Sequence, residues 1–336
     1  MPAAAGTVDT SIIVLNHNGR QWLEPCLTAL GAQHFTDHEV ILVDNGSTDD
    51  SVALVRERFP AVRLMTLTAN QGFAAGNNAG ARAARGRYLA FLNNDTVVDP
   101  DWLAALRRAL DTNPSAGLAT SRLVYLHDPG VLDSAGDGYL RAGGGYKRFH
   151  GQPVSQGLES CEVFGACGAA FLIRRQVFED LGGFDEDFFM VYEDVDLSYR
   201  AQLRGHRCVY VANAVVRHAG GATLGQVSSF AVYLGQRNLE WTYFKNTPWP
   251  LLLRSLPSHV AYDVAAGIGY AVQGRLRQFL AGKWAALGGI GKTLKKRRSI
   301  QRRRVATCAY LWSLMEPDWM ALKRREKQFD FGLARE

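Results

Sequence analysis

Within its first hundred residues this chain four times runs a short, unbroken apolar stretch into a polar cluster, and no other feature constrains its fold as strongly. The runs are residues 11–15 (SIIVL), 40–44 (VILVD), 63–67 (RLMTL) and 88–92 (YLAFL). Their apolar residues are consecutive rather than alternating, so each reads as a strand buried on both faces. The intervening segments have helical periodicity. In residues 44–59, Ser47 or Thr48 would cap a helix that buries Val52, Val55 and Phe59. In residues 99–110, Asp99 would be the N-cap, Pro100 the first helical residue, and Leu103, Leu106 and Leu110 the buried stripe. Strand–helix–strand repetition predicts an α/β fold with a mostly parallel central sheet flanked by helices. Such sheets bind ligands beyond the carboxyl ends of their strands. The polar residues that follow each run, 16–19 (NHNG), Asp44 with Asn45, 70–72 (NQG) and 93–95 (NND), are therefore expected to converge.

With 336 residues, 47% of them hydrophobic, the chain can bury a large core. Its net charge of +6 is unevenly spread: residues 283–336 carry 14 Lys/Arg against 5 Asp/Glu, so the basicity belongs to the tail. The five cysteines are scattered, none in a C-x-x-C pair, which points away from zinc and from a disulfide framework. No secretory signal and no apolar run long enough to span a bilayer is visible, so a cytoplasmic protein is expected. Neither a G-x-G-x-x-G turn, nor a P-loop, nor a G-x-S-x-G elbow is present, which removes the dinucleotide, P-loop and serine-hydrolase readings.

Residues 130–163 are rich in Gly and polar residues and read as long loops over the cleft, mobile near 143–145. Regular structure resumes over 163–174. After about residue 245 the composition changes to an apolar, Arg-dotted stretch (249–287) and a basic run (292–304, KTLKKRRSIQRRR). Residues 1–245 therefore read as one domain and 246–336 as a mainly helical, basic C-terminal extension. The extension would lie in a membrane interface with its cations on anionic lipid. A helical packing or oligomerisation element explains the same residues. Nucleic acid is not expected as a partner, because no nucleic-acid-binding module accompanies the basic run.

Three places carry candidate chemistry. Asn93, Asn94 and Asp95 end the fourth apolar run, and oxygen ligands at a strand end suit a hard cation such as Mg²⁺ or Mn²⁺ bridging two phosphates. An ordinary Asx turn accounts for them equally. Glu193, Asp194 and Asp196 open a helix whose stripe is Val195, Tyr199 and Leu203 and which ends at Gly205. Acids there complement the helix dipole, and the same N-terminus would hold a carboxylate ionised as a general base. His218 follows another apolar strand and is a candidate third metal ligand beside Asp95, or a structural histidine.

Together the segments SIIVLNHNG, EVILVDNGSTDDS, NQGFAAGNNAGARAARGRYLAFLNNDT, GACGAAFLIRR, GGFDEDFFMVYEDVDLSYR and VVRHAGG resemble, in order, the family-2 inverting glycosyltransferases of GT-A fold, over residues 10–222. The resemblance implies that Asn16 and Asn18 lie where the first strand end meets the nucleotide, and that Asp44 recognises the base with Asn45 beside it. Asn70, Gly72 and Asn77 would border the base and donor sugar. Asp95 would be the last acid of the family's D-x-D motif, binding a divalent cation with His218; Asn93 stands where that motif often has its first Asp, leaving a less anionic ligand field. Asn94 would complete the donor site. Asp194 would be the catalytic base, with Glu193 and Asp196 as alternatives that orient the acceptor. The pattern N-x-G-F-A-x-G-N-N before Asn-Asn-Asp is similar to the bacterial rhamnosyltransferase branch. That implies dTDP-rhamnose as donor, with UDP- or GDP-sugars as alternatives, and a glycan or lipid-linked acceptor. Two rivals keep the fold: a nucleotidyltransferase, which would need a Gly-rich basic loop where Asn16–Gly19 stand, and a non-catalytic nucleotide-sugar or glycan-binding protein.

Overall fold

Strand β1 (Thr10–Asn16) is the axis on which the first half of the chain is wound. Helix α1 (Arg20–Gly31), strand β2 (His38–Asp44), helix α2 (Ser51–Arg58), strand β3 (Arg63–Thr66), helix α3 (Gly72–Ala83) and strand β4 (Tyr88–Asn93) follow. β1 pairs in parallel with β2 on one side and β4 on the other, and β3 adds to β2. The computed structural model describes residues 8–220 and 228–333, and side chains as far as Glu326. The chain continues through β5 (Thr96–Val98), α4 (Trp102–Thr112), β6 (Ala116–Tyr125), β7 (Leu132–Ser134), β8 (Asp137–Tyr139), β9 (Gly145–Lys147), β10 (Cys161–Val163), β11 (Ala170–Arg174), α5 (Arg175–Leu181), α6 (Glu193–Leu203) and β12 (Arg207–His218). The described strands of the main sheet run in the order β10-β12-β6-β11-β4-β1-β2-β3, with β5 added to β12, β7 added to β6, and β8 with β9 forming a separate ribbon. β11 is antiparallel to both neighbours, β4 and β6, and marks where the parallel half gives way to a mixed one.

Helices cover both faces. Leu23, Leu54, Trp102, Leu103, Leu106 and Leu110 pack against one side of β1, β2 and β4. Burying each of the three α4 leucines contributes about 1.5–3 kcal/mol. On the other face α3 lies against the sheet because its residues are small. A Cβ added at Gly76 would sit 2.5 Å from Leu15 Cδ1, and one at Gly80 would sit 2.6 Å from Ile13 Cγ2. That close approach brings the start of α3 to the carboxyl ends of β1 and β2.

Four local expectations are corrected. β3 is a half-exposed edge strand, because nothing in the described sheet lies beyond it. α2 has Asp50 at its N-cap position, since Ser47 and Thr48 bond to Asn16 and Asn18 instead, and its buried face holds Leu54 with Val55, Phe59 packing part-buried against them, rather than Val52. α4 starts after Asp101; Asp99 is drawn off by Arg217, 2.7 Å from its Oδ1. Residues 130–163 are not long surface loops. They hold β7 to β10, and Gly143 packs under Tyr243 and His259.

The C-terminal part is helical: α7 (Ser229–Asn246), α8 (Trp249–Val272), α9 (Leu276–Gly288), α10 (Ile290–Arg302), α11 (Cys308–Leu314) and α12 (Trp319–Leu333). Among the described residues no helix is long and apolar enough to cross a membrane. The five cysteines are free. Much of the basic run is engaged by the protein itself: Lys292 with Asp187, Lys296 with Asp185 and Asp187, Arg297 with the carbonyls of Phe244 and Thr247, and Arg303 with Asp180. To that extent it is a packing element.

Candidate active site

The polar strand ends do converge. Asn16 Nδ2 donates to Asp44 Oδ1 (3.1 Å), Asn94 Nδ2 donates to Asn16 Oδ1 (2.7 Å), and Asn45 Nδ2 donates to Asn70 Oδ1 (3.0 Å) and to the Gly72 carbonyl (3.1 Å). Asp44 Oδ2 accepts from the Ser47 amide, and Asn18, at φ +51°, accepts from the Thr48 amide. These bonds knit the strand ends into the floor of a cleft of about 490 Å³. Asn45, Asn70, Gly72, Asn93 and Asn94 line it, as do Asp95, Glu193, Asp194 and His218. Asn16 and Asp44 do not reach its surface: they are buried beneath it and position what does. Asn18 sits outside at the rim. Asn77 lies inside α3 rather than in a loop, its Nδ2 donating to Phe73 O four residues back, so it holds the helix.

At one end of the cleft, the turn after β4 presents Asp95 and the end of β12 presents His218, because β5 pairs with β12 and sets His218 opposite Thr96. His218 Nε2 lies 3.3 Å from Asp95 Oδ1. That buried oxygen has no directed hydrogen bond. His218 Nδ1 is 2.8 Å from Asp133 Oδ2 on β7, and Asp133 Oδ1 accepts from Lys147 Nζ on β9 (2.7 Å). Burial pushes the imidazole down, but the bonds to Asp133 and Asp95 outweigh it and bring His218 up to about 9. Burial likewise opposes the Asp133 charge, yet Lys147, His150 and His218 hold that carboxyl well below its usual range. A carboxylate that fixes one imidazole nitrogen so that the other faces a site is the usual support of a metal-ligating histidine. A buried carboxylate oxygen facing an oriented imidazole nitrogen is a donor set that fits a divalent cation.

At the other end, α6 starts at Glu193. Asp194 Oδ2 accepts from the Gly168 amide and Oδ1 from the Val195 amide, both at 2.7 Å. Burial raises its pKa, and the two amides and its own N–H work against that rise. Glu193 Oε2 has no partner, and burial with the neighbouring acids Asp194 and Asp196 pushes this carboxyl well above its ordinary value. Asp137 and Cys167 complete a group with Asp194 whose ligand atoms lie within 4.8 Å of one another. Burial, then the Asp194 charge, raises Asp137 well above its ordinary value.

Asp196 does not belong to the site. It is fully buried on the far side of α6, with Arg200 Nε at 2.8 Å and Lys245 Nζ and Asn246 Nδ2 at 2.7 Å. Arg200 and Lys245 outweigh its burial and keep it ionised. It anchors α6 to α7.

The approach to α6 is strained. Phe189, Val191 and Tyr192 all have positive φ, between +63° and +76°. This conformation costs a non-glycine residue about 1–3 kcal/mol, and a β-branched one least tolerates it. The loop is held by Asn238, fully buried on α7, whose Nδ2 donates to the carbonyls of Phe188, Met190 and Val191 at 2.7–3.0 Å. The strain aims Met190, Val191 and Tyr192 into the cleft as apolar walls. Asp133, Asp137, Lys147, Cys167 and Asn238 are the site's unforeseen members. The two acids that flank the SAG of DSAGD were the one visible signal.

Residues 11–182 match the sequence family described as Glycosyl transferase family 2. The chain is 34% identical to the O-antigen biosynthesis protein RfbC of Myxococcus xanthus, over 65% of this chain but only 18% of that longer protein. It is 30% identical to the N-acetylglucosaminyl-diphospho-decaprenol L-rhamnosyltransferase of Mycobacterium tuberculosis, over 68% of this chain and 85% of that one. Among solved structures, the mannosyltransferase PcManGT from Pyrobaculum calidifontis, in complex with GDP-Man and Mn²⁺, superposes with a TM-score of 0.54 at 19% identity, covering 89% of this chain and 84% of that one. That likeness establishes the GT-A fold.

Proposed function

The chain belongs to glycosyl transferase family 2, and from that premise we propose that it transfers a sugar, with inversion, from a nucleoside diphosphate to a hydroxyl of a glycan or lipid-linked acceptor. Rhamnose from dTDP-rhamnose is the first candidate, supported by the Mycobacterium relative being an L-rhamnosyltransferase. UDP- and GDP-sugars are the alternatives, the latter by the GDP-Man bound to PcManGT. The observation that carries the reading is that Asp95 with His218 and Asp194 with Glu193 line a single cleft.

Asp194 takes the proton of the acceptor hydroxyl as its oxygen attacks the anomeric carbon; the bond from that carbon to the diphosphate oxygen breaks, and the nucleoside diphosphate leaves. Glu193, whose burial beside Asp194 and Asp196 favours its protonated form, donates a hydrogen bond to the acceptor. Met190, Val191 and Tyr192 exclude water, the competing acceptor. Asn45, Asn70 and Asn94 border the nucleotide. A divalent cation, Mg²⁺ or Mn²⁺, held by Asp95 and His218, would neutralise charge building on the departing diphosphate. Residues 1–245 would be the catalytic domain and 246–336 the extension, working peripherally at the cytoplasmic face of a membrane.

The test is nucleoside diphosphate release from a panel of dTDP-, UDP- and GDP-sugars with Mg²⁺ or Mn²⁺, repeated with Asp95→Ala and Asp194→Asn. One donor should turn over, and the Asp194→Asn rate should fall about 10²–10⁴-fold. An undiminished rate in Asp194→Asn removes the proposed base, and donor binding without release by any acceptor favours a binding protein.

A further inference from the structure

Helix α8 turns polar residues inward beside Leu251, Leu252 and Tyr262 and leaves an apolar face outward. Its inward side carries Ser255, His259 and Asp263, each four residues apart. His259 Nδ1 is 2.8 Å from the Ala142 carbonyl, and Lys283 Nζ bridges Asp263 (2.7 Å) and Glu240. Its outward side carries Leu253, Leu256, Val260, Val264, Ile268 and Val272, at the three- and four-residue spacing of one helical face. Exposure reaches 57% at Val264, 62% at Ile268 and 86% at Val272. The exposed positions of α8 are apolar except Arg254, whose guanidinium lies 4.4 Å over Trp312. Helix α9 continues the surface with Leu276, Leu280, Trp284 and Leu287 outward, while Phe279, Gly282 and Ala286 pack inward.

A stripe of this kind marks an interaction surface. A protein partner's interface carries roughly one hydrogen bond per 100–200 Å², and this stripe offers almost no group to make one. Acyl chains ask for none. Other exposed residues suit a bilayer match: Trp249 starts α8, Trp284 lies on α9, and Arg277 with Lys295, Arg298 and Arg302 of α10 are exposed cations with no ion-pair partner among the described residues. Tryptophan and cations of this kind suit the headgroup zone of an anionic membrane.

We propose that the α8–α9 hairpin is an in-plane membrane anchor, its leucine, valine and isoleucine face sunk into the acyl boundary of an anionic bilayer. The apolar face makes the main contact, and the unpaired Lys295, Arg298 and Arg302 of the basic run add to it on anionic lipid. α8 is about 36 Å long at 1.5 Å per residue, and it lies along the surface. Its inward side also touches the cleft: Tyr262 packs on Gly144, and His259 holds Ala142, just before Gly145 and Tyr146 of the cleft wall. The anchor thus sets that wall beside the lipid, and this last step rests on the lipid-linked acceptor reading above.

The experiment is co-sedimentation of the full chain with phosphatidylcholine vesicles, with and without phosphatidylglycerol, in the absence of any nucleotide sugar. Wild type should bind both, more tightly with phosphatidylglycerol. Val264→Glu with Ile268→Glu, both outward positions, should bind at least about tenfold more weakly, with an unchanged circular dichroism spectrum and melting temperature. Lys295→Ala, Arg298→Ala and Arg302→Ala together should remove only the phosphatidylglycerol increment. Unchanged vesicle binding by the double variant, or none by wild type, overturns the anchor. So does a wild-type dimer that the double variant makes monomeric, which would assign the face to a second copy. Nucleoside diphosphate release without vesicles is scored separately: its failure alongside intact vesicle binding would sink the transferase reading and spare the anchor.

Discussion

Gly168→Ala should cripple the protein without unfolding it. A Cβ at this position would stand 2.8 Å from Asp194 Oδ2 and 3.2 Å from its Cβ and Cγ. Real side chains do not tolerate the first distance, and Asp194 is held on its other oxygen by the Val195 amide, so the carboxylate must swing off the Gly168 N–H. That bond, 2.7 Å long, is to a charged acceptor and is worth about 1.5–3 kcal/mol. Losing it has two consequences of known sign. The proposed base leaves its place beside the acceptor, and at about 1.4 kcal/mol per decade the rate should fall about 10–100-fold. The backbone donors are also what restrains the raised pKa of Asp194, so without one the pKa climbs further. In the proposed mechanism the ionised form is the base, so activity is lost as pH falls through that pKa, and the acid limb should move to higher pH. Initial rates of nucleoside diphosphate release across pH, with a calorimetric melt to show the fold intact, test both. A wild-type rate with an unmoved acid limb would refute the claim that the Gly168 amide positions the base.

Three further outcomes are expected. Asp133→Asn weakens the hold on His218 Nδ1, and Mn²⁺ affinity measured calorimetrically with nucleoside diphosphate present should fall about 10–100-fold. Asn238→Ala leaves the Phe188, Met190 and Val191 carbonyls without their shared donor; it should lower stability by about 1–3 kcal/mol in urea unfolding and depress turnover together with it, because the strained loop relaxes. Glu240 is held down to about 2 despite its burial, by His259 and Lys283. A depressed carboxylate stabilises the fold above its ordinary value of 4.5 and loses that contribution as pH falls toward about 2; melting temperatures of wild type should drop more steeply across that window than those of Glu240→Gln.

How much of this was legible in the chain depends on the range of the interactions involved. Strand β4 and the Asn93-Asn94-Asp95 turn were readable because an unbroken apolar run and its polar end are local signals. So was the α6 start at Glu193, whose stripe of Val195, Tyr199 and Leu203 is buried as its spacing requires. The family segments carried Asp95, Asp194 and His218 into one cleft before any coordinate was seen. Asp196, read as an alternative that orients the acceptor, does not line the cleft: two residues along a helix turn a side chain through about 200°, which separates it from Asp194, and the Lys245 and Arg200 charges hold it. Asp133 and Lys147 were hidden for a different reason. β7 and β9 are three residues each, too short to show a period, and their side chains acquire meaning only when β7 pairs with β6 and sets a carboxylate against His218, 85 residues away. The positive-φ loop and the uncovered apolar face of α8 were equally out of reach. The first exists because Asn238 of a later helix over-determines it. The second is visible only once packing reveals which side of an apolar helix is left uncovered. Sequence by itself determined the layered α/β architecture and the catalytic ends of its strands, since both are written in nearest-neighbour periodicity. Tertiary structure decided which carboxylates line the cleft, which are paired in the interior and which face of α8 is left uncovered, because burial and charge partners come from residues far apart in the chain.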